Sequence, residues 1–109
     1  MAYDELLGER IRRALKNQPG IVEKKMFGGL AFMVRGNMCC GVVASELMLR
    51  LGNERAAEAL EEPHTRPMDF TGRPLKSMVY IEPEGIAREE QLWEWLRKAL
   101  DFGETLPAK

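Results

Sequence analysis

Residues 24–43 are the stretch that most constrains what this chain can fold into. They form its densest run of apolar residues and glycines, and they include both cysteines: Lys-Lys-Met-Phe-Gly-Gly-Leu-Ala-Phe-Met-Val-Arg-Gly-Asn-Met-Cys-Cys-Gly-Val-Val. Two apolar segments, 30–34 and 38–43, flank Gly36-Asn37, and such a pair supplies the positive φ angles of a two-residue hairpin turn. The sequence therefore predicts a β-hairpin. Its apolar residues on both faces predict a central place in a sheet.

The hairpin is preceded by the pair Gly28-Gly29. A glycine pair can belong to a phosphate-binding loop, but this one lacks the spacing of a nucleotide fingerprint and the Lys-Ser/Thr of a P-loop. We interpret it as a bend or a close approach of two backbones.

The segments around the hairpin show the spacing of amphipathic helices. Apolar residues recur every three or four positions in residues 3–16 and again in 87–102, which predicts a helix near each end. A shorter helix is predicted from Asn53, as its N-cap, to Leu60. Strands are predicted at 21–27, 30–34, 38–43, 46–51 and 78–81.

Residues 61–77 are rich in proline and charge and are predicted to form a long connector, extended and ordered against the body. The element order is then α-β-β-β-β-α-β-α. This order predicts an α+β domain of two layers, with a mainly antiparallel sheet and helices on one main face. A length of 109 residues indicates a single domain, 1–109.

Composition narrows the class of protein. A net charge of −1 and the lack of a helix-turn-helix pattern make direct DNA binding unfavourable. No apolar run reaches the roughly 18 residues of a membrane span, and the N-terminus lacks a signal-peptide layout. Two adjacent cysteines are not the framework of a secreted disulfide protein. We expect a cytoplasmic protein without membrane association.

The adjacent cysteines, Cys39 and Cys40, invite a chemical interpretation. Neighbouring side chains on a regular strand point to opposite faces, so the pair is not expected to hold one metal ion. With His64 as the single histidine, a four-ligand zinc site is not expected either, and neither a metal nor a cofactor is predicted. We interpret the cysteines as core residues, with a redox role as the alternative.

Basic residues cluster in two parts of the sequence. If the connector folds over the hairpin, they could converge into an anion-binding surface with one acidic residue among them. The candidate binding residues are Lys24, Lys25, Arg66, Asp69, Arg73 and Lys76. Asp69 has a simpler interpretation, as a salt bridge or turn cap that holds the connector. No catalytic residue is predicted.

The last predicted helix carries two tryptophans. Trp93 and Trp95 lie two positions apart, so they diverge by about 200° around the helix axis. One edge is expected to pack into the core. The other is expected to be exposed as a surface for a partner or for a second copy.

Two ordered motifs resemble a known family. Lys24–Met33, followed by Met38–Val42, looks like the signature of the TfoX/Sxy N-terminal domain, and Arg66–Lys76 is similar to its second signature. The C-terminal residues Leu106–Lys109 also resemble the end of that domain. The resemblance implies a two-layer α/β domain with an antiparallel sheet, similar to secretion-chaperone-like folds. The named members are bacterial competence regulators that act with a cyclic-AMP receptor protein, and they carry a C-terminal domain that this chain is expected to lack.

We therefore predict a non-enzymatic regulatory or protein-interaction domain. Its partner would be a protein, such as a transcription regulator, and it could form a homodimer. The predicted binding surface is the hairpin together with the connector 66–76. The alternative is a small-molecule or anion-binding protein, or an enzyme, that uses Lys24, Arg66, Asp69 and Arg73. Convergence of those four side chains around a pocket would favour the alternative, and an exposed aromatic edge would favour a protein partner.

Overall fold

The computed structural model describes residues 3–26, 28–70 and 73–107. At Met26, 68–70 and 73–75 it describes the backbone alone. The elements, in chain order, are α1 (Glu5–Ala14), β1 (Ile21–Met26), β2 (Gly29–Val34), β3 (Asn37–Val43), β4 (Glu46–Arg50), α2 (Asn53–Ala59), β5 (Thr65–Phe70), β6 (Arg73–Ile81) and α3 (Glu89–Glu104). A short 3₁₀ turn at Pro83–Ile86 leads into α3.

The strands form one antiparallel sheet in the order β1-β2-β3-β4-β6-β5. Apolar residues of all three helices share one core cluster with one face of the central strands. Its largest buried members include Ile11, Phe32, Leu47, Leu49, Leu92 and Leu96. A smaller cluster of Met48, Met78 and Tyr80 lies apart from it, on alternate positions of β4 and β6. The predicted α+β class and the predicted antiparallel sheet are confirmed.

Helix α1 begins where its sequence provides a cap. The Asp4 carboxylate accepts hydrogen bonds from the backbone N–H groups of Leu6 and Leu7, at 2.9 and 3.2 Å. These bonds satisfy two of the donors that every helix N-terminus leaves without a partner. Leu7 and Ile11 then place the apolar stripe of α1 in the core.

The predicted connector 61–77 contains a hairpin, and the prediction of a single strand at 78–81 is wrong in extent. Strand β5 pairs with β6 along residues 65–70, and β6 begins at Arg73. Proline is compatible with this pairing because Pro67 lies on the outermost strand, next to a register shift. A missing backbone N–H is tolerated at such a position. Pro74 lies beyond the part of β6 that pairs with β4.

The β2–β3 turn and the cap of α2 each fall one residue earlier than predicted. Arg35 and Gly36, with φ of 52° and 82°, form the β2–β3 turn, while Asn37 is the first residue of β3. Before α2, Gly52 has a φ of 84° and occupies the cap position, so Asn53 begins the helix and does not cap it. The predicted hairpin is confirmed, and its turn residues are corrected.

The pair Gly28-Gly29 performs both predicted roles. Gly28 has a φ of 74°, which bends the chain into β2. At Gly29, a Cβ atom would collide with the backbone carbonyl oxygen of Val42 on β3. The two strands therefore approach more closely than any side chain at this position would allow.

Replacing Gly29 with alanine should destabilise the domain by about 1–3 kcal/mol, the usual cost of forcing extra volume into packed backbone. Gly103→Ala is the matched control, because a Cβ at Gly103 meets no atom within 4 Å and the site is helical. Alanine there should be neutral or stabilise by up to about 1 kcal/mol. Urea unfolding measures both. Equal stability of the two variants would contradict the close approach.

An ion pair joins α1 to the edge strand β1. Arg12 donates two hydrogen bonds to the Glu23 carboxylate, at 2.6 and 2.7 Å, and these bonds lower the pKa of Glu23. Because the pKa of Glu23 is lower in the folded state, the ionised carboxylate stabilises the fold at pH values above its unfolded-state pKa. This contribution is lost as the pH falls through the folded-state pKa.

We expect Glu23→Gln to cost about 0.5 kcal/mol at neutral pH, a small value because both side chains are partly exposed. The difference from wild type should vanish in acid, where the Glu23 carboxyl is protonated. Unfolding curves at neutral and acid pH test this expectation, with the exposed Glu61→Gln as control. A difference that persists in acid would show that the ion pair is not its cause.

Candidate functional site

The sheet order separates the basic residues that the sequence grouped together. Lys24 and Lys25 are exposed on β1, at one edge, whereas Arg66 is exposed on β5, at the other. Four strands lie between them. Lys76 is exposed on β6, and β4 separates that strand from the β2–β3 hairpin. Lys24 and Arg66 therefore do not converge, although a ligand-binding role for each residue alone stays a prediction.

The two remaining candidates, Asp69 and Arg73, have side chains that lie outside the described part of the structure. Their backbones pair near the tip of the β5–β6 hairpin, where Asp69 is opposite Pro74 and Arg73 is opposite Phe70. The predictions made for the Asp69 carboxylate and the Arg73 guanidinium remain predictions.

Arg66 is held by groups of its own domain. Its Nε donates to Glu46 Oε2 at 2.7 Å, and its terminal nitrogen donates to the other carboxylate oxygen. The guanidinium carbon also lies 4.6 Å from the centre of the Tyr80 ring, in a cation–π contact. The hydrogen bonds that Arg66 donates to the Glu46 carboxylate raise the pKa of Arg66. This arrangement ties β5 to β4 across β6, so the Arg66 charge is already engaged within the sheet.

The same group of residues sets the ionisation of Tyr80. Burial raises the pKa of its hydroxyl, the nearby Arg66 charge opposes that rise, and Glu46 adds to it. A phenolate is disfavoured where water is excluded, and a neighbouring positive charge partly compensates for the lost hydration.

Removal of the positive charge in Arg66→Met should therefore raise the pKa of Tyr80 further, and Glu46→Gln should lower it. Ultraviolet titration of tyrosinate, carried out in a Tyr3→Phe background, reports Tyr80 alone because the chain has two tyrosines. Lys25→Met on the opposite edge of the sheet is the control and should leave the titration unchanged. An identical curve for Arg66→Met would show that Arg66 does not contact the ring in solution.

The cysteines do not point to opposite faces, and the prediction based on strand alternation is wrong. Phe32 of β2 pairs with Cys40 while Met33 pairs with Met38, so Cys39 is an extra residue in a β-bulge. Both cysteines consequently belong to the helix-side core, at 2% and 0% exposure, whereas Met38 packs against the other cluster. Their placement as core residues is confirmed.

The C-terminal segment lies near this bulge. Asn37, a buried polar residue at the start of β3, donates from its side-chain amide to the Pro107 carbonyl at 2.9 Å. Arg35 in the turn donates to the Gly103 carbonyl at 3.2 Å. The β2–β3 hairpin therefore holds the end of α3 and the residues that follow it.

The two tryptophans of α3 lie on different edges, as the helical spacing predicted. Trp95 is 8% exposed and belongs to the core, whereas Trp93 is 43% exposed. Trp93 borders a groove of about 470 Å³ between α1 and α3, lined also by Ala14, Leu15, Asn17, Gln18 and Glu89. Among the side chains that the structure describes, it is the one aromatic group with a large exposed surface.

An ion pair joins the two walls of the groove, which carries little net charge. Arg10 of α1 binds Glu89 at 2.5 Å and donates to the Ile86 carbonyl at 2.6 Å, which ties α1 to the start of α3. The Glu89 charge is thereby paired, and the remaining polar lining consists of the amides of Asn17 and Gln18. A neutral, partly apolar groove of this kind suits a side chain of a protein better than an anion.

Within residues 3–26, 28–70 and 73–107, no three side chains of His, Cys, Asp or Glu are grouped as a metal ion would require. His64 is exposed in the turn before β5. No described helix is both long and apolar enough to span a membrane.

Comparison with known proteins identifies the family. The profile of the TfoX N-terminal domain matches residues 13–103. The chain belongs to the TfoX N-terminal domain family. The matched region extends from the last two residues of α1 to the last turn of α3, so it includes the whole sheet and Trp93. No curated protein and no solved structure matches the chain.

Sequence reasoning predicted that one of the two tryptophan edges would be exposed, but neither that it is the edge of Trp93 nor what forms the other side of the groove. The spacing of the tryptophans gave their relative directions, because helical phase is a local property. Ala14 and Gln18 line the groove only because α1 packs against α3, and no local sequence pattern encodes how two helices pack. The Arg10–Glu89 pair joins residues that are 79 positions apart in the sequence.

Proposed function

We propose that this TfoX-family domain is a non-enzymatic, cytoplasmic module that regulates through association with a protein partner, and that the groove beside Trp93 is its contact surface. The observation that carries the proposal is the exposure of Trp93 above a preformed groove. The family resemblance supports transcription regulation, including control of competence, as the setting of this association.

The chemistry of the groove supports a protein partner. Tryptophan is among the residue types most often found at the energetic centre of protein interfaces, because one side chain brings a large apolar area and a single polar N–H. Trp93 lies beside the apolar surfaces of Ala14 and Leu15, with polar amides around them. An apolar centre with a polar rim is the usual anatomy of such contacts.

The alternative, an anion or small-molecule site built from the basic residues, has less support. Lys24 and Arg66 lie at opposite edges of the sheet, and the Arg66 guanidinium is bound to Glu46. The β5–β6 hairpin, which carries residues 66–76, is a second contact surface to test, since the sequence predicted a partner there.

Affinity capture from the native cell, with quantitative mass spectrometry, tests the proposal. We expect Trp93→Gln to weaken recovery of the partner by about thirtyfold, equivalent to the roughly 2 kcal/mol of an interface hot spot. Leu60→Gln is the matched control, since Leu60 is 41% exposed but lies at the end of α2, outside the groove. Circular dichroism and thermal unfolding verify that both variants fold.

Two further measurements distinguish the groove from the β5–β6 hairpin as the contact surface, and a different protein from a second copy of this chain as the partner. Arg73→Glu should leave recovery unchanged if the groove alone binds, whereas loss of the partner in this variant alone would move the interface to the β5–β6 hairpin. Sedimentation of purified wild type and Trp93→Gln detects a second copy as the occupant. Equal recovery by wild type and Trp93→Gln would contradict the proposal.

A further inference from the structure

The exposed edge of α3 carries a negative charge on one side of Trp93 and a positive charge on the other. Trp93 is 43% exposed, and Glu90 and Arg97 are exposed as well. They lie three positions before it and four after it. Because a helix turns by about 100° per residue, they are displaced from Trp93 by about 60° and about 40° in the same direction around the axis. The three side chains therefore form one stripe along the solvent side of α3.

The stripe and α1 lie on different sides of Trp93. Glu89 is displaced from Trp93 by about 40° in the opposite direction around the helix. This residue binds Arg10 of α1, so α1 and the groove lie on that side. The stripe with its two charges therefore faces away from α1, where a further chain can approach it, and Trp93 lies between the stripe and the groove.

The two charges are nearly equidistant from Trp93 along the helix axis. With a rise of about 1.5 Å per residue, Glu90 lies about 4.5 Å before Trp93 and Arg97 about 6 Å after it. A second α3 that runs antiparallel beside the first, related to it by a two-fold axis at the level of Trp93, brings Glu90 of each copy opposite Arg97 of the other. A parallel arrangement would instead place like charges side by side, which is unfavourable.

The same two-fold axis brings the two indoles together. A two-fold axis perpendicular to the helix pair keeps both Trp93 side chains on one side of it. Each indole then contacts the other indole at the open side of the groove formed by Ala14 and Leu15. A two-fold contact requires a self-complementary surface, because the same patch is used by both copies. The stripe on α3 meets this requirement in its charge order and in its spacing.

We propose that the protein partner at the Trp93 groove is a second copy of this chain, and this rests on the proposed function because the contact surface is the same. The two α3 helices run antiparallel, with Trp93 at the centre and Glu90 of each copy paired with Arg97 of the other. A net charge of −1 per chain gives two copies little overall repulsion.

The charges and the indoles have different roles in this dimer. Exposed ion pairs contribute little affinity but determine orientation, whereas a buried tryptophan supplies most of the binding energy. In the single chain Glu90 lies 3.7 Å from Arg88, and the two side chains are 73% and 70% exposed. So loose a pair costs little to exchange for Arg97 of a second copy.

Charge reversal with purified protein tests the pairing, and sedimentation through the micromolar range measures the dissociation constant. We expect wild type to dimerise reversibly. Glu90→Arg brings two pairs of arginines together and Arg97→Glu two pairs of glutamates, so each should weaken dimerisation at least about tenfold. Glu61→Arg is the matched control, an exposed charge reversal outside α3, and it should dimerise like wild type. Circular dichroism verifies that every variant folds.

An equimolar mixture of Glu90→Arg and Arg97→Glu tests the antiparallel geometry. One chain of each restores two ion pairs with reversed polarity, so the mixed dimer should form with nearly wild-type affinity although neither variant dimerises well alone. A fluorescent label on one variant reports the mixed dimer in sedimentation. The differences among the variants should shrink at high salt, since the Debye length falls to roughly 3 Å near 1 M. A mixture that associates no better than its components would overturn the pairing.

The failure of the dimer is distinguishable from the failure of the proposed function. Wild type that stays monomeric, or a dimer that Trp93→Gln leaves intact, would overturn the second copy as the occupant. If a different protein is then still captured from the native cell through Trp93, the proposed function stands and the dimer is wrong. If neither a second copy nor a different protein depends on Trp93, both are wrong.

Discussion

The close approach of β2 and β3 is the constraint on which the rest of the sheet depends. Added Cβ atoms would collide with the Val42 carbonyl at Gly29 and with the Leu30 carbonyl at Gly41. Because both positions are glycine, the two backbones can lie where side chains would otherwise stand. The opposite face of these strands presents Phe32, Cys40 and Val42 to the helix-side core. A hydrophobic layer packed this tightly transmits small changes in volume.

The sequence predicted most of what is encoded locally. Helical periodicity located α1 and α3 to within a few residues, and the turn chemistry around Gly36 located the hairpin. The prediction for 61–77 gave the extended geometry but missed the pairing of residues 65–70 with β6, because a pairing partner is not a local property of the sequence. Proline excludes only positions that must donate to a neighbour, and Pro67 lies on the outermost strand, where one side of the ladder has no partner to satisfy.

The errors at the candidate site have one cause, which is strand pairing. Whether Cys39 faces the core depends on the register of β3 against β2, and one extra residue reverses the direction of every side chain beyond it. Whether Lys24 lies near Arg66 depends on the strand order, in which β6 inserts between β4 and β5. Neither register nor order is present in a short stretch of sequence. The divergence of Trp93 from Trp95 could be predicted because it depends only on the helix that carries both.

Helix α3 is constrained on one side and available on the other. Leu92, Leu96 and Leu100 are buried against the central strands, so changes there would require the core to repack. The edge that carries Trp93 has no such requirement, and a helix fixed by its buried stripe presents that edge in one orientation. Preorganisation of this kind lowers the entropy lost on binding. A helix held by the core of the sheet therefore makes the outer edge of α3 a suitable place for recognition, while the cysteines at the bulge belong to the core.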